Sequence, residues 1–299
     1  MKNKRYILTQ EPVNFFNRPH YRIKSLESSG WAEEGEIGGF VESELNLSQD
    51  GTAWISENAL VSGNAVVSGD ARVSGNARVA GNAEIWGNAW VSDEALVADE
   101  AKIYGNAVIT GKAWISSNAK VYGDATVSGN AEIYGNAAVN GNAKVFWDAE
   151  VSGYAWVTDD ARVSGNASVS GDADITGNAS VYGDACVIDA WIAESARVAG
   201  NSRIGENAKI YGNAVTSCNA WVAGDALVGD TAWVTDDARV HGHAKVSGNA
   251  LVSNDAEVHG NACISGNADV TGNAKVYGDA RISGYTVVTG NYLLESPKV

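Results

Sequence analysis

Cysteine, proline and methionine are almost absent: the 299 residues hold 3 Cys, 3 Pro and 1 Met. Cys186, Cys218 and Cys263 form no C-x-x-C motif and imply neither a disulfide framework nor a thiolate metal site. No apolar run approaches the ~20 residues that a helical membrane span needs, so a transmembrane helix is excluded. Basic residues are also scarce, with 21 Lys and Arg against 36 Asp and Glu and a net charge of −15. Such a chain has no basic stripe to neutralise phosphates, so neither direct nucleic-acid binding nor attachment to an anionic membrane is expected. At the start, Lys2, Lys4 and Arg5 are followed only by Tyr6-Ile7-Leu8 before Thr9, Gln10 and Glu11 break the run. That is not a secretory signal, and a cytoplasmic location is expected. With 45% apolar and 19% charged residues, the composition is that of a folded protein.

Glycine is abundant, at 34 residues, and its placement is periodic. From Ile55 to Val287 the chain reads as 39 consecutive hexads: ISENAL, VSGNAV, VSGDAR and so on to ISGYTV. Position one is Val or Ile in 38 of the 39, the exception being Thr216, and position five is Ala in all but two, Ser202 and Thr286. Those two positions must face inward. Positions three and four are mostly Gly followed by Asn or Asp, residues that tolerate φ > 0 and bond their own backbone, so each hexad is a short strand and a tight corner. Three hexads make a coil of 18 residues, and the 39 make 13 coils of a three-walled prism in which each coil buries its apolar residues against its neighbours. The phase breaks once, at Val187-Ile188-Asp189-Ala190-Trp191, where five residues replace six; a shortened corner is expected there.

This pattern resembles the hexapeptide-repeat proteins, and Ile204-Gly205-Glu206-Asn207-Ala208-Lys209 fits their repeat directly. The resemblance implies an all-β, left-handed parallel β-helix. The monotonous Gly-Asn-Ala corners, preceded by Gly38-Gly39-Phe40-Val41-Glu42-Ser43-Glu44, look most like the YdcK-type proteins and related prophage-encoded products. Exposed strand edges at the ends of such a column invite polymerisation unless covered. Residues 1–46, with Phe15, Phe16, Tyr21, Ile23, Trp31 and Phe40, are expected to form a small N-terminal β cap, residues 47–287 the β-helix, and residues 288–299 a C-terminal cap or tail in which Tyr292-Leu293-Leu294 plugs the end.

Many hexapeptide-repeat proteins are acyltransferases, whose resemblance implies a catalytic His and loops that interrupt the coils. No loop interrupts them here, and no catalytic residue or cofactor is assigned. His241 and His259 stand 18 residues apart on one wall, with Tyr277 next in the column; as metal ligands they are weak candidates, because zinc usually takes three or four. Paired acids such as Asp93-Glu94, Asp159-Asp160 and Asp236-Asp237 fall on corners and are expected to be solvated.

The outward positions carry more information. On wall A, centred on residues 55, 73, 91 and their successors, the residue after the centre is Ser or Thr except at Phe146, Tyr182 and Ala199. The residue before it runs Trp54, Arg72, Trp90, Val108, Thr126, Lys144, Arg162, Ser180, Arg197, Val215, Trp233, Leu251 and Asp269, with a single acid. Trp90, Val108, Val215, Trp233 and Leu251 are therefore the candidate interaction residues. Wall C carries an aromatic column, Trp86, Tyr104 and Tyr122, which either binds a sugar or a partner's side chain or simply stabilises the ladder. Three functions remain open: a non-enzymatic rod-like scaffold that binds a protein or itself, an acyltransferase-like protein, and an acidic DNA mimic. Uninterrupted coils favour the first.

Overall fold

The computed structural model describes residues 4–295. Its contacts divide into an N-terminal unit, Met1–Asp148, and a C-terminal unit, Ala149–Val299. Both are β-structures, and the one helical element among the described residues is a 3-10 turn, Glu44–Asn46.

Each unit is a parallel β-solenoid with three sheets, built mostly from two-residue strands. The expected coil of 18 residues is seen directly in the register: Trp90 pairs with Val108 and Val91 with Ile109. Wall A holds six strands in the N-terminal unit, from Trp54–Ile55 to Lys144–Val145, and eight in the C-terminal unit, from Arg162–Val163 to Val287–Val288. Wall B follows residues such as Val61 and Val79, and wall C residues such as Val67 and Ile85. The inward side chains are sealed; Val91, Ile109, Ala95 and Ala107 are all 0% exposed. Where the pattern lapses, the hydroxyls behave differently. Ser202, at position five, donates to the Ala199 carbonyl at 2.7 Å, whereas the Thr216 hydroxyl at position one is buried without a partner.

The corners explain the composition. Gly200 has φ +65°, and a Cβ there would lie 2.9 Å from the Cys218 nitrogen on the next coil, so glycine relieves both backbone strain and crowding. Acids at the same position adopt the same conformation and gain a bond in return. Asp93 (φ 61°) accepts from the Gly111 N–H at 2.9 Å, Asp230 (φ 56°) from Gly248 at 2.8 Å, and Glu206 (φ 56°) from Gly224 at 3.1 Å. Position four forms side-chain ladders: Asn88 donates to Asn106 at 2.9 Å and Asn106 to Asp124 at 2.8 Å. The paired corner acids stand at the surface, as expected, and several also accept from a neighbouring coil. The Thr176 hydroxyl, with the Gly177 N–H, holds the Asp159 carboxyl below its usual range.

The five-residue hexad is a shortened corner, as its phase suggests. Register falls to 17 at Asp174↔Trp191, Ser180↔Arg197 and Cys186↔Arg203, then returns to 18 at Trp191↔Lys209. Asp189, at φ 54°, absorbs the deletion: its carboxylate accepts from the Asp172 N–H at 2.8 Å and its carbonyl from the Asn207 N–H at 2.7 Å.

In the N-terminal unit, Tyr6–Leu8 and Val13–Phe15 pair antiparallel with Arg18–Ser25. That strand also pairs antiparallel with Ile37–Val41, which opens the parallel ladder by lying against Leu60–Val61. Tyr6 and Ile23 are 0% exposed, and burial pushes the Tyr6 phenol up to about 12. One outward assignment is corrected here: Trp54, expected on the open face of wall A, is buried at 1% exposure. A Cβ on Gly38 would lie 2.7 Å from its ring, so glycine lets the Ile37–Val41 strand cover the indole. At the other end, Leu293–Glu295 adds a further parallel strand beside Lys275–Tyr277, with Leu293 exposed, and does not fold across the coil; Pro297 lies outside the described residues.

Candidate functional site

The five wall A candidates fall into two groups, each contiguous within its own unit. In the N-terminal unit, Trp90 pairs with Val108, but its indole is already engaged. It donates to the Ser74 hydroxyl at 3.2 Å and lies under the Arg72 guanidinium at 5.7 Å, folded back over the preceding coil. Val108 is half-buried.

In the C-terminal unit, Val215, Trp233 and Leu251 are adjacent rungs, paired Val215↔Trp233 and Trp233↔Leu251. Trp233 is 51% exposed and, among the described residues, its indole N–H has no hydrogen-bond acceptor. Beside it the hydroxyl column is internally satisfied, Ser217 donating to Thr235 at 3.0 Å. Ser253 is buried, so that column stands low against the wall. The two tryptophans differ because Trp90 has a serine and an arginine on the coil before it, whereas Trp233 is preceded by Ser217 and Val215 and lacks a cation. Large apolar surface with polar neighbours is a usual mark of an interface.

The aromatic column on wall C is a closed stack. Trp86 and Tyr104 lie 4.4 Å apart and 3° from parallel, and Tyr104 and Tyr122 4.8 Å apart at 3°. Tyr104 therefore has both faces covered, and only the outer faces at the ends of the stack remain for a ligand. Burial raises the Tyr104 phenol, and Tyr122 adds to the shift.

His241 and His259 stack 5.0 Å apart at 5°, and His259 and Tyr277 5.2 Å apart at 5°. Parallel rings at that separation hold equivalent nitrogens about as far apart, beyond the ~4.2 Å that two bonds of ~2.1 Å to one zinc would span. No group of three His, Cys, Asp or Glu is arranged for a metal among the described residues. A carboxylate that the column reading overlooked does stand here: Glu257 lies 3.2 Å from His241 Nε2 and 2.7 Å from Lys275 Nζ. Lys275 chiefly, with His241, holds Glu257 below the usual carboxylate range, and burial, then the charge of His241, pushes His259 down. The three cysteines are free. Cys218, at a corner with φ 59°, has its thiol pushed down by hydrogen bonds from Thr235 and the Asp236 backbone.

No helix of the described residues is long and apolar enough to cross a membrane. No curated protein matches the chain. Residues 71–85, which run from the second wall A rung, Arg72–Val73, through Arg78–Val79 to Glu84–Ile85, match the family model of the YdcK beta solenoid repeat.

Proposed function

We propose that the chain is a non-enzymatic solenoid scaffold and that wall A of its C-terminal unit is a self-association surface. The observation that carries this is the exposed, unpartnered Trp233 between Val215 and Leu251. On a chain of net charge −15, two copies approach with least repulsion where acids are fewest. Before the wall centre, the stretch from Arg162 to Leu251 carries none: Arg162, Ser180, Arg197, Val215, Trp233 and Leu251. A low hydroxyl column beside the stripe lets a second flat wall come close. Within this proposal the chain needs no cofactor, and its three free thiols suit a reducing cytoplasm.

Light scattering of the wild type and of Trp233→Glu tests the surface. The wild type is expected to show a mass above that of one chain and the variant, folded by circular dichroism, to fall to the single-chain value. A wild type that is monomeric at micromolar concentration, or a variant that keeps the larger mass, overturns the proposal.

A further inference from the structure

Wall B of the C-terminal unit carries a second feature, independent of wall A. Arg203, Trp221 and Arg239 occupy the same outward position on successive coils, paired Arg203↔Trp221 and Trp221↔Arg239. With the corner residues Asp184, Asn201, Asn219 and Asp237 they line an open groove of about 720 Å³. In the neighbouring column stand Gly205 and the buried Ala223, so no bulky side chain screens the indole there. Past Ala223 comes His241, against which Trp221 leans at 5.5 Å and 32°.

Lys102, Lys112 and Lys275 each have a carboxylate partner on an adjacent coil. Among the described residues, Arg203 and Arg239 have neither an ion pair nor a side-chain hydrogen bond, a state they share with Arg162, Arg197, Lys245 and Arg281; their place on either side of an exposed indole sets them apart. Two planar five-donor forks thus stand free on either side of an exposed indole, a set suited to carboxylates or phosphates.

The opposite bank of the groove decides between those ligands. Asn201 donates to Asn219 at 3.1 Å, Asn219 to Asp237 at 3.0 Å, and Asn166 to Asp184 at 2.7 Å. These bonds use amide donors and one oxygen of each carboxylate, leaving the second oxygens of Asp184 and Asp237 as acceptors. Carboxylates accept and repel any anion set against them, so a ligand that fits both banks turns hydroxyl donors to Asp184 and Asp237 and its negative groups to the arginines, which inorganic phosphate cannot do. Coils are spaced ~4.8 Å, so the Arg203 and Arg239 backbones lie about 10 Å apart with Trp221 midway.

We propose that this groove binds an acidic saccharide. The apolar face of one sugar ring stacks on Trp221, its hydroxyls donate to Asp184 and Asp237, and carboxylates of the flanking units pair with Arg203 and Arg239.

Calorimetry on the full chain at low salt tests this with trigalacturonate and a hyaluronan tetrasaccharide as acidic probes, maltotriose as the neutral one and ADP as the phosphate one. At least one acidic probe is expected to bind saturably and maltotriose not at all. Trp221→Ala and the double variant Arg203→Gln/Arg239→Gln should each weaken binding by roughly tenfold or more. Trp233→Glu, on another wall, should leave it unchanged, which separates this site from self-association. Absence of saturable binding of both acidic probes up to about 10 mM, equal affinity for maltotriose, tighter binding of ADP, or unchanged affinity in the folded variants overturns the proposal.

Discussion

Alanine at Gly200 and at Gly205, five residues apart, separates the work of the corners from that of the walls. Gly200 has φ +65°, and an added Cβ would meet the Cys218 nitrogen and carbonyl oxygen at 2.9 Å. The left-handed conformation costs an L-residue about 1–2 kcal/mol, and displacing the Cys218 backbone adds to it. The reduced freedom of the unfolded chain returns about 0.4–1 kcal/mol. The net loss for Gly200→Ala is about 2 kcal/mol. At Gly205 the φ is not left-handed and the nearest atom to an added Cβ is the Ile188 carbonyl oxygen at 3.5 Å, an ordinary contact. Only the unfolded-state gain remains, so Gly205→Ala should be neutral or slightly stabilising. Gly200→Asp belongs in the series, because acids at this corner position accept the N–H of the coil ahead, as Asp93 does from Gly111. The aspartate should recover about 1 kcal/mol of the alanine loss.

Thermal unfolding followed by far-ultraviolet circular dichroism reads the order. At ~2–4 °C per kcal/mol, the two alanine variants should differ by roughly 5–10 °C, with Gly205→Ala highest and Gly200→Asp between wild type and Gly200→Ala. Equal midpoints for the two alanine variants would refute the account, and an aspartate worse than alanine would refute the compensating bond.

Two further outcomes follow from the core and from the His–Glu cluster. Val228 is 0% exposed between Ile210 and Val246, so Val228→Asp should cost on the order of several kcal/mol, whereas Val288→Asp, at a position already 5% exposed, should cost much less; similar denaturation midpoints would contradict this. Glu257 and His259 both have depressed values in the folded chain, so each contributes stability that is present above its unfolded value, about 4.5 and 6.5 respectively, and is lost as pH falls through the folded one. His259→Phe keeps an aromatic ring in the stack and removes the titration, so stability measured by urea unfolding should fall less between about pH 7 and pH 5 than in the wild type; identical slopes would show that His259 does not contribute.

The fold was legible because one period fixes two things at once. Val or Ile at position one and Ala at position five assign the inward residues, and Gly-Asn or Gly-Asp places the corner. Asp189 shows how far that extends, since a missing residue in the hexad frame corresponds to a register of 17 in the ladder. Trp54 shows where it stops. The period says that residue 54 points outward, and it does, but only the fold of the aperiodic segment reveals that the strand containing Gly38 covers it. Position three likewise reads as a site for glycine, yet 13 residues other than glycine hold it at positive φ among those described. For Asp93, Asp99, Glu206, Asp230 and Asp236, the compensating bond comes from a residue 18 positions away that carries no local signature.

The candidate surfaces were legible only along columns. Spacing 18 identifies stacks such as Trp86, Tyr104 and Tyr122, and each of those contacts is present. Two other spacings govern what the side chains do. A residue just after a wall centre and one just before the next centre are 18 − 2 = 16 apart, which joins Ser74 to Trp90 and His241 to Glu257. A corner residue reaches the wall of the next coil at 17, which joins Cys218 to Thr235 and Asp159 to Thr176. Glu257 escapes a column search because its partner His241 lies in the neighbouring column. The same diagonals show why Trp90 and Trp233, equivalent by period, differ in exposure and in hydrogen bonding. Each has a serine 16 residues back, Ser74 or Ser217, but Trp90 also has the Arg72 guanidinium on the preceding rung, where Trp233 has Val215. The Trp90 indole is thus drawn back by a hydroxyl and a cation, whereas the Trp233 indole N–H has no acceptor among the described residues.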